Sequence, residues 1–144
     1  MIVNRLAEIL EEKGANVLEI DADATVLEAV QQMVGMNVGS LLVTVEGEVT
    51  GIVTERDYLR RVTLEDRTEG APVREIMSSP LVVATLETTI DECMAMMTDR
   101  RIRHVPVVDE GKVVGLVSIG DLVKFKSKQQ SFEIQFLNEY ITAG

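Results

Sequence analysis

Residues 47–59 read GEVTGIVTERDYL, and residues 111–123 read GKVVGLVSIGDLV. Each stretch opens on Gly, crosses an apolar run broken by a second Gly, and closes on Thr or Ser followed three residues later by Asp. They stand 64 residues apart, from 47 to 111. Sliding the whole chain by that offset aligns 16–61 with 80–125 without a gap. Ten identities result: Thr25/Thr89, Glu28/Glu92, Met33/Met97, Val43/Val107, Glu46/Glu110, Gly47/Gly111, Val49/Val113, Gly51/Gly115, Val53/Val117 and Asp57/Asp121. About three would arise from ordinary residue frequencies, so the chain is a duplication.

Periodicity and punctuation give the order within each copy. A short apolar stretch (17–20; 81–84) leads to a helix opened by Thr25-Val26-Leu27-Glu28 or Thr89-Ile90-Asp91-Glu92. Both are Thr-x-x-Glu capping boxes, in which each side chain satisfies a backbone amide of the other residue. A strand (40–45; 105–108), a Gly-containing turn, a second strand (49–53; 113–117) and a last helix starting near Thr54 or Ser118 complete the copy. Each copy reads β-α-β-β-α, an α/β (α+β) fold class.

The sequence predicts a first repeat over 1–62 that includes an N-terminal helix, a polar connection TLEDRTEG ending at 70, and a second repeat over 71–126. A second echo, Ala7-Glu8-Ile9 against Arg74-Glu75-Ile76, is offset by 67, which lengthens the loop at 12–16 by three residues. Past Lys126, Phe132, Phe136, Leu137, Tyr140 and Ile141 keep helical spacing and predict a separate C-terminal helix over 127–144.

Among 144 residues, 46% are apolar, with three Phe, two Tyr and no Trp, which describes an aliphatic core of β-branched strands and Leu/Met helices. Twenty-four acids against fourteen bases leave a net charge of −10, which argues against nucleic acid and anionic membranes as partners. The acid-bearing start MIVNRLAEILEEKG does not have the order of a secretory signal, and no run approaches the ~20 apolar residues of a membrane span, so a cytoplasmic location is expected. The single cysteine, Cys93, lies in a helical pattern beside Met94, Met96 and Met97 and reads as a buried, inert thiol.

The quoted segments, together with RIRHVPVVDE at 101–110, resemble the CBS domain family, whose repeats end in glycine, an apolar pair, Thr or Ser, two residues and Asp. The resemblance extends over nearly the whole chain, and stand-alone single-module proteins of bacteria and plant organelles look especially similar. It implies two pseudo-symmetric repeats packed through their sheets, a Bateman module that pairs into a homodimer. It further implies a regulatory adenosine ligand (AMP, ADP, ATP or NAD(H), with S-adenosylmethionine as the alternative) in the clefts between repeats, and no required cofactor. The ligand-binding residues expected on this basis are Thr54, Arg56, Asp57, Val83, Arg103, His104, Pro106, Ser118 and Asp121, with Lys13 and Ile20 as weaker candidates.

The chemistry of those residues fits. A hydroxyl and unpaired amides where a strand ends and a helix begins form a small anion site aided by the helix dipole. A carboxylate one turn further on suits the two hydroxyls of a ribose. The same Thr/Ser-x-x-Asp spacing is also a helix-capping pattern, so a structural role stands beside the binding one, although Gly51 and Gly115, each followed by two apolar residues before the Thr or Ser, are expected to bring backbone near a cleft. Arg100, Arg101, Arg103 and His104 form a dense basic group, whereas Asn37, Gly39 and Ser40 occupy the matching places of the first repeat. The Asp121 side is therefore expected to prefer the more anionic ligand. Arg100 and Arg101 also read as solvated charges at a helix C-terminus. A lone His, a lone Cys and no phosphate-loop or metal-ligand spacing argue against an enzyme. The expected function is a non-catalytic sensor reporting to an unidentified regulated protein, or else a structural homodimer without signalling.

Overall fold

Two-residue turns organise both halves of the chain. Glu46 and Gly47 have φ of 51° and 83°, and Glu110 and Gly111 have 49° and 79°, the positive values that a tight hairpin with native twist demands. They join β2 (Ser40–Val45) to β3 (Glu48–Thr54), and β5 (His104–Asp109) to β6 (Lys112–Ser118), in antiparallel pairs. Both hairpins break register at the same place, between Val43 and Thr44 and between Val107 and Val108. A short strand adds in parallel to each: β1 (Glu19–Asp21) on β2, and β4 (Ala84–Thr85) on β5. The result is two three-stranded sheets ordered β1-β2-β3 and β4-β5-β6.

The computed structural model describes residues 3–14, 17–63, 69–79 and 81–143, with only the backbone considered at 132, 136 and 138–143. Most of the expected connection after Val62, and part of the loop at 12–16, lie outside the described residues. Helices α1 (Leu6–Lys13), α2 (Val26–Met36), α3 (Glu55–Thr63), α4 (Ile90–Arg100) and α5 (Ile119–Ala143) complete the fold, with a 3-10 turn at Val73–Glu75. Both capping boxes form: Glu28 and Glu92 amides donate to the Thr25 and Thr89 hydroxyls at 3.1 Å, and the Thr amides donate back to the carboxylates. Among the described residues, no helix is long and apolar enough to cross a membrane.

The chain divides into two compact units, Asn16–Val82 and a second one combining Met1–Ala15 with Val83–Gly144. Their cores correspond position for position. Ile20, Val26, Ala29, Met33, Leu41, Val43 and Val53 in one match Ala84, Ile90, Cys93, Met97, Val105, Val107 and Val117 in the other. Apart from Ala22 and Leu122, the remaining core residues come from the segments with the 67-residue echo. Leu6, Ile9 and Leu10 join the core of the second repeat, and Val73 and Ile76 join that of the first. The backbone repeats this exchange: Leu6 and Ala7 amides donate to Thr88 and Leu86, as Val73 and Arg74 amides donate to Ala24 and Ala22. Helix α1 precedes the first repeat along the chain, and its apolar face lies in the core of the second.

The tail also differs from expectation. No break precedes 127, and α5 runs for 25 residues. Between Lys124 and Tyr140 the sequence has neither Gly nor Pro, so nothing interrupts the amide ladder. Ile134 and Leu137 are exposed on its distal half; the side chains of Phe132, Phe136, Tyr140 and Ile141 lie outside the described residues.

Candidate functional site

The two Thr/Ser-x-x-Asp segments sit where β3 gives way to α3 and β6 gives way to α5. Each helix entry is pinned by its first amide: Glu55 N–H donates to the Gly39 carbonyl at 3.1 Å, and Ile119 N–H to that of Arg103 at 2.9 Å. At the first junction, the Thr54 amide (2.9 Å) and hydroxyl (3.1 Å) donate to Asp57 Oδ2, and the Asp57 amide returns a bond to Thr54 Oγ1 at 3.2 Å. At the second, the Ser118 amide donates to Asp121 Oδ2 at 2.8 Å, and the Asp121 amide to Ser118 Oγ at 3.1 Å. Both are reciprocal capping boxes with Asp in place of Glu. One carboxylate oxygen of each Asp is thus spent on its own helix, and Oδ1 stands apart from the box.

Beyond the boxes the junctions diverge. Asp57 Oδ1 faces a neutral donor, the Ser78 hydroxyl at 3.5 Å, a distance at the limit of a hydrogen bond. Asp121 faces a cation. Lys13 Nζ donates to Asp121 Oδ2 at 2.7 Å and to the Leu116 carbonyl at 2.9 Å. Lys13 arrives there because Leu6, Ile9 and Leu10 seat α1 in the second core and leave its last residue at the β6–α5 corner. Burial pushes the Asp57 carboxyl above its ordinary range, only partly offset by the Thr54 bonds, the Arg61 charge and Ser78. Burial alone would also raise Asp121, but the Lys13 bond and charge with the Ser118 donors outweigh it and hold that carboxyl low.

Of the other expected ligand residues, His104 is half-buried and stands opposite Ser118 in the β5–β6 register, next to exposed Arg103. Pro106 is buried opposite Leu116. Arg56 and Val83 are exposed, and no hydrogen bond or ion pair joins either to a junction among the described residues. Ile20 is packed into the first core. Arg100 ends α4 and Arg101 caps it in the left-handed conformation, both exposed, as solvated helix-end charges would be. Ser78 had no signal in the sequence, since it reaches Asp57 only through its backbone pairing with Ile52.

The glycines before the junctions have a different role from the one their spacing suggests. They were expected to let backbone approach a ligand. A Cβ on Gly51 would instead lie 2.8 Å from Met77 Sδ and 2.9 Å from the Ser78 carbonyl, and one on Gly115 would lie 2.7 Å from Leu10 Cδ2. The space belongs to the exchanged segments. Cys93 is fully buried and its thiol is pushed up to about 11 by burial. Among the described residues no group of three His, Cys, Asp or Glu side chains is placed to hold a metal ion.

The family model described as the CBS domain matches residues 7–64 and again 73–128. The mitochondrial CBS domain-containing protein CBSX3 of Arabidopsis thaliana is 38% identical, over 96% of this chain and 72% of the relative. Its location does not carry the cytoplasmic expectation. The crystal structure of the CBS domain protein NE2398 superposes with a TM-score of 0.82 at 42% identity, covering 87% of this chain and 98% of that one. The CBS domain pair of protein MJ0100, solved with 5-methylthioadenosine and S-adenosyl-L-methionine, shares the fold at a TM-score of 0.78 and 22% identity, over 89% and 99% of the two chains. The duplicated sequence, the twin sheets and these matches agree: the chain belongs to the CBS domain family and carries two of its repeats.

Proposed function

We propose that this chain is a non-catalytic regulatory module that binds an adenosine nucleotide at its strand-to-helix junctions, assembles as a homodimer and reports ligand state to a partner protein. The observation that carries the reading is the pair of half-buried carboxylates, Asp57 and Asp121, each keeping Oδ1 outside its capping box beside a helix N-terminus. That arrangement suits a ribose diol next to a phosphate. The MJ0100 pair, solved with two adenosine compounds that carry no phosphate, supports the adenosine part of that ligand class. AMP, ADP, ATP and NAD(H) fit it, and S-adenosylmethionine is the alternative. Ile134 and Leu137, exposed on α5, support pairing of copies through the tail.

A second reading rests on the boxes themselves: Thr54–Asp57 and Ser118–Asp121 are bonded in the manner of the purely structural caps at Thr25 and Thr89. Calorimetry with AMP, ADP, ATP, NADH and S-adenosylmethionine, on the native chain and on Asp57→Ala and Asp121→Ala, separates the two. Binding that weakens by roughly ten- to a hundredfold in the variants supports the sensor. Variants that bind normally but melt lower leave only the cap, and no binding at millimolar ligand removes the proposal. Sedimentation equilibrium on the full chain and on a version ending at Lys126 tests the assembly: a full-length monomer at tens of micromolar refutes the dimer, and a truncated dimer refutes the tail as its interface.

A further inference from the structure

Lys13 distinguishes the two junctions. An ammonium has three donors and a carboxylate about four acceptor positions. Two of the Lys13 donors go to Asp121 Oδ2 and the Leu116 carbonyl, and Oδ2 also takes the Ser118 amide. By this count one ammonium N–H and the Oδ1 oxygen are left, a donor and an acceptor side by side. With its side chain 39% exposed, Lys13 is within reach of solvent and therefore of a ligand. Among the described residues no cation is hydrogen-bonded to the carboxylate of the first junction: Asp57 meets the Ser78 hydroxyl, and the Arg61 charge acts on it. The sequence places Pro80 at the position 67 residues beyond Lys13.

Resting on the nucleotide reading above, we infer that Lys13 is the specificity-determining residue of the Ser118–Asp121 junction and selects ligands that carry an anionic group beside a vicinal diol. A carboxylate that accepts a diol repels a phosphate next to that diol. Lys13 cancels this repulsion and offers the phosphate a charge-assisted hydrogen bond, without taking up the oxygen the diol needs. Nucleoside phosphates are therefore preferred over uncharged nucleosides at this junction, and the preference comes from α1, a segment remote in sequence from the motif it serves.

The test uses AMP and adenosine as probes on the full chain, with Asp57→Asn as the background that leaves the second junction intact. Calorimetry should show AMP binding about tenfold tighter than adenosine. Adding Lys13→Met should abolish the difference by weakening AMP while adenosine is unchanged, and Lys13→Arg should restore most of it. Amide shifts of Ser118 and Thr54, followed by NMR in the native chain, assign occupancy to a junction and serve equally if Asp57→Asn does not fold. An AMP-to-adenosine ratio unmoved by Lys13→Met overturns the inference and leaves nucleotide binding standing. Equal weakening of both probes assigns Lys13 a structural role and overturns it too. Failure of both probes to bind the native chain overturns the inference, while the five-ligand calorimetry above decides separately whether the nucleotide reading stands.

Discussion

Replacing Gly115 with Ala tests the packing of α1 against the second repeat, because the three atoms nearest the added methyl all belong to Leu10. It would stand 2.7 Å from Leu10 Cδ2 and 2.8 Å from Cδ1, well inside van der Waals contact. Leu10 is 7% exposed and shares one core with Leu6, Ile9 and Val117, which leaves the end of its side chain little room to give way. Overpacking of this kind costs about 1–2 kcal/mol. Leu10→Ala removes the obstacle but opens a cavity at the margin of the core, at about 2–3 kcal/mol. In the double variant the new methyl enters the vacated space, and its stability should match that of Leu10→Ala alone. The coupling is then about 1–2 kcal/mol, where residues sharing no contact add. Urea unfolding followed by circular dichroism, at constant m, measures all four corners, and each kcal/mol should move the melting temperature by about 4 °C. Gly51→Ala, whose neighbours are Met77 and Ser78, supplies the control and should add to Leu10→Ala without coupling. Additivity of Gly115→Ala and Leu10→Ala to within about 0.5 kcal/mol would refute the exchanged packing of α1.

Titration of the Asp carboxyl carbons by NMR should place Asp57 above and Asp121 below the ordinary value of 3.8, and Lys13→Met should raise the Asp121 midpoint. The linkage follows. Asp121, depressed on folding, contributes stability above pH 3.8 that is lost as pH falls through its lowered value, while the Asp57 contribution favours the fold below 3.8 and is lost as pH rises through its raised value. An inverted order of midpoints contradicts the geometry of Lys13. Cys93, fully buried and shifted to about 11, should resist a disulfide thiol reagent at pH 8 until the chain is unfolded in urea, and rapid labelling of the native protein would contradict its packing.

What could be read from the sequence were the features decided within a few residues of one another. The Thr25 and Thr89 boxes need only a residue and its third successor, and the hairpins need only a positive φ at Gly47 and Gly111 between alternating apolar runs. The duplication then doubles the evidence for each. Partnerships across the chain were not legible. The 67-residue echo showed that 7–9 and 74–76 are alike, but not that each completes the core of the opposite repeat, since Leu6 and Val73 carry no mark of where they pack. For the same reason Lys13 read as a loosely assigned cation, Ser78 did not register, and Gly51 and Gly115 suggested space for a ligand. Arg103 and His104 drew attention because they are neighbours in sequence, whereas the bonded cation of the second junction comes from 108 residues away.

That reach has a bearing on synthesis. Lys13 leaves the ribosome 103 residues before the Leu116 carbonyl it will hold, and 108 before Asp121. At about 5–20 residues per second, α1 waits roughly 5–20 s for the surface that will cover it. Eight residues are too few for a helix to persist alone in water, so during that interval Leu6, Ile9 and Leu10 are exposed apolar side chains on an unformed segment. The Asn16–Val82 unit draws Val73 and Ile76 from its own near end and can close as it emerges. An early-made segment is thus among the last to be placed, and the nascent chain carries its own unprotected apolar stretch until the second repeat is complete.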